Sequence, residues 1–257
     1  MPCTECPVRY VDEMFLVEQQ DDGLYHLNCS SGHRTTVWLQ NPQFELLFDS
    51  GGLALLDGHS REAVSSIAAA LERFMEFYVR IVALKHLAGQ EPFEETIRRF
   101  SANQHEPFEE TWKRVSKQSE RQIGAFLFIY LLENGKPPPF IDEYKMQSYG
   151  KKENKHFRNA VIHEGYTPSQ DQVIEYEEQI FQFICPILTE LRTTSDEIIQ
   201  KFTMGTAYKV YLQLQRSPTA TQVIPTMIST GRQSPDGSPS FKSGLEQLKE
   251  VRTRVYS

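Results

Sequence analysis

Between Ser60 and Ala88 the apolar residues Val64, Ile67, Ala68, Leu71, Phe74, Met75, Tyr78, Ile81 and Val82 hold a three-and-four spacing without a miss. Such spacing keeps one face of a helix apolar, so the stretch is predicted as one long amphipathic helix, capped by Ser60 and stopped at Gly89. A second pattern predicts a helix from Pro107 to about Glu133, with Phe108, Trp112, Val115, Ile123, Phe126, Leu127 and Tyr130 inward. Asn134-Gly135 ends it and Pro137-Pro138-Pro139 forbids its continuation. The segment Glu91-Pro92-Phe93-Glu94-Glu95-Thr96 recurs as Glu106 to Thr111, and proline followed by glutamates is a helix opening in each copy. Thr167-Pro168-Ser169-Gln170 restarts the chain with Thr167 as N-cap, giving a helix to about Arg192 that Pro186 is expected to kink. Ser195 caps a further helix to about Gln215.

The pattern changes at both ends. Residues 1–40 alternate as short strands do: Met14 to Val17 and Leu24 to Leu27 flank the turn Asp21-Asp22-Gly23, and Thr35 to Leu39 follows. Residues 41–59, with Asn41-Pro42, Gly51-Gly52 and Asp57-Gly58, are expected to be a connector whose leucines and phenylalanines pack onto something. Residues 60–215 form the helical domain, and 216–257 a linker rich in Pro, Gly, Ser and Thr, followed by a short amphipathic helix through Leu245, Leu248, Val251 and Val255. The fold class is mainly α, a helical bundle preceded by a small β hairpin.

Composition adds bounds. The longest apolar run, Ile123 to Leu132, is broken by Gly124 and is too short to span a bilayer. The first residues lack the basic and apolar regions of a secretory signal, so a cytoplasmic protein is expected. The net charge of −7 is concentrated in residues 1–60, where nine acidic side chains face Arg9 and Arg34 alone. In contrast, Lys145, Lys151, Lys152, Lys155 and Arg158 make a basic approach to the segment that follows, of a kind that steers a polyanion such as RNA. A solvated loop is the alternative reading of the same lysines.

Three of the four cysteines lie in the N-terminal segment, Cys3 and Cys6 as C-x-x-C and Cys29 four residues before His33. Two such knuckles joined by a hairpin can close a tetrahedron of thiolates and one imidazole around zinc, and the arrangement resembles a Cys3-His zinc ribbon. Reduced, unliganded thiols are the alternative. Four protein ligands leave no open position, so the zinc is expected to be structural, which weighs against a zinc hydrolase. The ribbon's acidity suits a protein partner better than a nucleic acid. His26 is expected on the strand surface, and Cys185 as a buried thiol in a helix.

The segment Lys155 to Tyr166 reads K-H-F-R-N-A-V-I-H-E-G-Y. On a helix Asn159 and His163 share a face, whereas Arg158 lies about 140° round from His163. The run F-R-N-A-V-I-H-E-G-Y-T-P, with a long helix on either side, resembles the signature of the HEPN superfamily, all-helical domains that include metal-independent ribonucleases. The resemblance covers about residues 60 to 192. It implies that Arg158, Asn159 and His163 are catalytic, that Glu72 on the long helix is an auxiliary residue, and that Lys151, Lys152 and Lys155 meet RNA. A flanking, solvated carboxylate is the plainer reading of Glu72. Because Arg158 and His163 diverge on one helix, a site built from two facing motifs in a homodimer is expected. The family also implies a toxin or antiviral role. Its non-catalytic members give the competing expectation, a dimerisation or nucleotide-binding module whose ribbon docks a protein.

Overall fold

The computed structural model describes residues 23–28, 32–138, 157–214, 220–230 and 240–256, and the side chains of 206–222 and 254–256 are not among them. Cys3, Cys6, Cys29, the expected strand Met14 to Val17, and Lys151, Lys152 and Lys155 lie outside the described residues. Strands β1 (Leu24–Asn28) and β2 (Arg34–Leu39) come first. Helices α1 (Gln43–Leu56), α2 (Ser60–Leu87), α3 (Phe93–Ser101), α4 (Glu106–Val115), α5 (Ser119–Asn134), α6 (Phe157–His163) and α7 (Gln170–Leu214) follow, then strand β3 (Ala220–Gln222) and helix α8 (Phe241–Tyr256). The architecture is mainly helical with a small sheet.

β1 and β2 pair antiparallel from Leu24↔Trp38 to Asn28↔Arg34. Leu24, Tyr25 and Leu27 are buried while His26 and Asn28 are exposed, close to the alternation of a sheet with one wet face. β2 is buried from Thr35 to Leu39 because β3 pairs with its other edge, in parallel, with Val37↔Ala220.

α2 is the axis of the bundle, as its unbroken stripe requires. Its apolar face packs on α1, α5, α6 and α7. Aromatic pairs fill the seams, including Phe44 with Phe74 at 5.4 Å and Tyr78 with Phe126 at 5.2 Å between ring centroids. On its other side Arg80 forks onto Glu109 of α4 at 2.6 and 3.1 Å and also donates to Glu76 at 3.0 Å.

Four boundaries differ from expectation. The connector 41–59 is largely helix α1, and its glycine pair is a double notch: a Cβ on Gly51 would stand 2.6 Å from the Ile67 side chain of α2, and one on Gly52 would stand 2.8 Å from Leu248 of α8. Small residues there let α1 lie close between two helices. The helix expected from Pro107 to Glu133 is two, α4 and α5, separated at Ser116–Gln118 where the polar run Ser116-Lys117-Gln118-Ser119 carries no apolar residue to hold the stripe. α7 begins with a reciprocal cap two residues later than predicted, Gln172 donating its amide to Ser169 Oγ at 3.4 Å while the Ser169 amide donates to Gln172 Oε1 at 2.9 Å. Pro186 is accommodated within α7 without the expected kink; the break falls at Ser195, at φ −143°, where a new cap is expected.

The last difference is the tail. Residues 224–230, expected to be part of an unfolded linker, are strapped onto α1 by a row of polar groups one helical turn apart. Asn41 receives the Ile224 amide at 2.8 Å and donates to its carbonyl at 3.0 Å. Glu45 accepts from Asn41 at 2.8 Å, from the Thr226 hydroxyl at 3.1 Å and from the Thr230 amide at 2.5 Å. Asp49 accepts from the Met227 amide at 2.9 Å. Met227 and Ile228 are buried beneath the strap, and α8 completes the cover, with Phe241 against Phe181 at 6.0 Å and Arg252 paired with Asp57.

Candidate functional site

The predicted motif occupies α6, a helix of seven residues. So short a helix is marginal alone and is held by its neighbours. Phe157, Ala160 and Val161 are buried, the Phe157 ring lying 5.4 Å from that of Tyr176 on α7. Arg61 of α2 donates to the Val161 carbonyl at 3.3 Å, a cation at the negative end of the helix. Gly165, at φ +76°, turns the chain so that the Tyr166 amide reaches back to the Ala160 carbonyl at 3.0 Å.

This anchoring sets the outward residues. Arg158 Nη2 donates to Glu72 Oε1 at 2.9 Å, and Ser119 Oγ, at the first turn of α5, donates to the same oxygen at 2.6 Å. Arg158 Nη1 also reaches Asn159 Oδ1, at 3.4 Å. The ion pair is partly shielded, with side chains 31% and 24% exposed, so Glu72 is no freely solvated carboxylate but the hub of three helices. Arg158, Asn159, Glu72 and Ser119 form the polar end of a pocket of about 110 Å³. Its walls are apolar: Leu71 and Met75 from α2, Ile123 from α5, and Tyr176 and Ile180 from α7, with exposed Glu120 at the rim.

His163 is elsewhere. It is the last residue of α6, exposed, and does not line the pocket. Although Asn159 and His163 share a face of the helix, Asn159 turns to Arg158, and the His163 side chain has no hydrogen-bond partner among the described residues. The divergence read from the helical spacing therefore holds in the fold. Sequence reasoning missed Ser119, Glu120 and the pocket walls, since a serine opening a helix 47 residues from Glu72 carries no local sign of its partner.

Of the expected zinc ligands only His33 is described, half-buried just ahead of β2. Among the described residues no group of three His, Cys, Asp or Glu side chains stands together as a metal site. His26 is exposed on β1, its Nδ1 3.2 Å from Thr36 Oγ1. Cys185 is half-buried rather than fully buried, and enclosure pushes its thiol up to about 12, so it is no reactive thiolate at neutral pH.

Two further carboxylates are unusual. Glu177 on α7 is fully buried, neither oxygen has a hydrogen-bond partner, and burial raises it to about 8. Asp49 of the strap is raised to about 7 by burial and by the neighbouring Glu45, against the bond from the Met227 amide. Glu45 is likewise raised by burial.

No helix among the described residues is long and apolar enough to cross a membrane. Comparison of the chain with protein-family models, with curated proteins and with solved structures finds no match.

Proposed function

We propose that the chain is a metal-independent RNA endonuclease of the HEPN type, acting as a homodimer. The observation that carries the reading is the joining of the R-N-x-x-x-H segment to a pocket: Arg158, bonded to both Glu72 and Asn159, stands at its polar end, while His163 stays exposed on the same helix. In the reaction His163 takes the proton of a ribose 2′-hydroxyl as that oxygen attacks phosphorus. The bond to the 5′-oxygen breaks, and the leaving oxygen takes its proton from water. Arg158, held by Glu72 with donors to spare, stabilises charge on the phosphorane, and Asn159 orients it. The products are a 2′,3′-cyclic phosphate and a 5′-hydroxyl. Zinc on Cys3, Cys6, Cys29 and His33 is proposed as structural, and Lys151, Lys152 and Lys155 as contacts to the RNA backbone.

One observation favours the alternative, a non-catalytic dimerisation or nucleotide-binding module: Arg158 is already engaged by Glu72 and is not joined to His163 in one chain. Incubation of the purified protein with RNA, without added magnesium, decides between them. His163→Ala should cut cleavage by about 10²- to 10⁴-fold with the helical circular dichroism unchanged. Arg158→Lys should rescue little, since a point charge does not reproduce a planar fork on phosphate. Undiminished cutting by His163→Ala, or equal cutting of DNA of the same sequence, removes the mechanism.

A further inference from the structure

Cations across the bundle stand beside an acid: Arg73, Arg80, Lys85, Arg98 and Lys201 are each paired with a carboxylate. The turn from α4 to α5 is different. Lys113, Arg114, Lys117 and Arg121 are all exposed there, and none of the four has a carboxylate partner among the described residues. Glu109, one turn before Lys113, is engaged by Arg80, while Glu110 and Glu120 pair with none of the four among the described residues. Folding accounts for part of the cluster. A helix end carries about half an elementary charge, and Arg121 donates to the Arg114 carbonyl at 3.4 Å, on the negative end of α4. Half a charge answers for one cation and not for four. Between Trp112 and Leu132 the one acid is Glu120, so this turn is a basic face on a chain whose net charge is −7. Like charges gathered in this way repel one another until an anion from outside joins them.

The placement of the four says what kind of anion. They spread over the last turn of α4, the link Ser116–Gln118 and the first turn of α5, which suits a row of phosphates better than a single small anion. A membrane surface is met by cations with apolar side chains beside them. Here Trp112 is buried, Val115 is half-buried, and no large apolar side chain between Lys113 and Arg121 is exposed. The turn also adjoins Arg158. Ser119, between Lys117 and Arg121, donates to the same Glu72 oxygen as Arg158 does, so a strand lying along the turn comes up to that guanidinium. Resting on the ribonuclease reading for the nature of the strand, we infer that Lys113, Arg114, Lys117 and Arg121 form a track that holds the sugar-phosphate backbone of single-stranded RNA and leads it to Arg158. Contacts to phosphate position a strand and carry no sequence preference of their own.

The test is the salt dependence of binding. The full chain is titrated by fluorescence anisotropy with a labelled 2′-O-methyl oligouridylate, which keeps the phosphates but lacks the hydroxyl needed for cleavage. In a triple variant, Lys113→Gln with Arg114→Gln and Lys117→Gln, Arg121 stays on its carbonyl and the end of α4 is left intact. Each phosphate contact contributes about 0.7 to the slope of log affinity against log salt, so the variant's slope should be shallower by about two. Its affinity at about 0.1 M salt should fall roughly 10- to 100-fold, with the helical circular dichroism unchanged. A control, Lys242→Gln with Lys249→Gln, removes two exposed cations from α8 and should leave the slope as it was. No binding by the wild type, an unchanged slope in the triple variant, or an equal loss in the control overturns the inference. Vesicles of phosphatidylserine and phosphatidylcholine should not be bound; vesicle binding that the triple variant loses while its slope on the strand is unchanged assigns the turn to a membrane and also overturns it. Should the strand be held through these residues while no RNA is cut, the track stands and the nuclease reading falls. If RNA is cut, and the triple variant cuts it with the same KM and the same salt slope, the nuclease stands and the track falls.

Discussion

Glu177 and Asp49 cost the fold something at neutral pH, and the sign of that cost is fixed by their surroundings. Burial holds both above the range of an ordinary carboxylate, to about 8 and about 7, so the folded protein binds protons that the unfolded chain releases. Stability is therefore greatest in mild acid and falls with rising pH, between 3.8 and about 7 for Asp49 and between 4.5 and about 8 for Glu177, by up to ~1.4 kcal/mol per pH unit for each group. Denaturant melts at pH 5 and pH 8 should differ in that direction, and Asp49→Asn with Glu177→Gln should flatten the dependence. The asparagine keeps an oxygen for the Met227 amide, so the strap survives the change. A wild-type protein as stable at pH 8 as at pH 5 would show that these groups are solvated. Neither residue is conspicuous in the sequence. A carboxylate at an edge of an apolar stripe reads as the wet face, and so did Glu72, because the partner that decides the matter comes from another helix. Arg158, Asn159 and His163 stand out in the sequence for the opposite reason: their types and spacing suggest chemistry before any partner is known.

At the scale of elements, α2 was legible along its length because nine stripe residues agree on one period and nothing interrupts them, but not at its start, where His59 and not the expected Ser60 is the N-cap. α1 was not. Its glycine pair suggests a break until the approach of Ile67 and Leu248 is known, and the same local sequence serves a notch or a turn. The strap 224–230 was illegible for a related reason: a segment poor in apolar residues cannot fold alone, but here its backbone bonds are met by Asn41, Glu45 and Asp49, about 180 residues earlier in the chain. Asn41 is the key to that latch, since one side chain satisfies both the amide and the carbonyl of Ile224. Asn41→Ala should cost about 1–3 kcal/mol by leaving those groups unpaired in a buried seam. Hydrogen exchange should quicken at Ile224, Met227 and Thr230 but not along α2. Uniform acceleration through the bundle would mean that the strap is part of the global unit and no separate latch.

At the scale of the whole molecule, strands far apart in the chain are joined, β3 pairing with β2 about 180 residues before it. A zinc-held N-terminal segment would brace this corner of the fold, because a small hairpin is not stable alone and a structural ion supplies folding free energy. Metal analysis should find one zinc per chain, and Cys3→Ser should lower the melting temperature. A native protein without zinc removes the ribbon.

The helical half asks a different question of the whole molecule, because one chain holds Arg158 in the pocket and His163 outside it. A catalytic pair that cannot meet within a chain can meet across a two-fold axis, where one surface faces its own copy. Exposed Phe128 and Leu132 on α5 are apolar side chains of the kind such an interface buries, and α5 also supplies Ser119 and Glu120 to the pocket. Complementation separates this arrangement from a monomeric site. Arg158→Ala and His163→Ala should each be inactive, yet a mixture allowed to exchange subunits should recover part of the wild-type rate. A mixed dimer keeps one arginine and one histidine at the shared site. If exchange is confirmed by differently tagged subunits and the mixture stays as inactive as its components, the two residues do not act across an interface. A monomer by light scattering at micromolar concentration leads to the same conclusion from the other side, because His163 would then have no arginine opposite it.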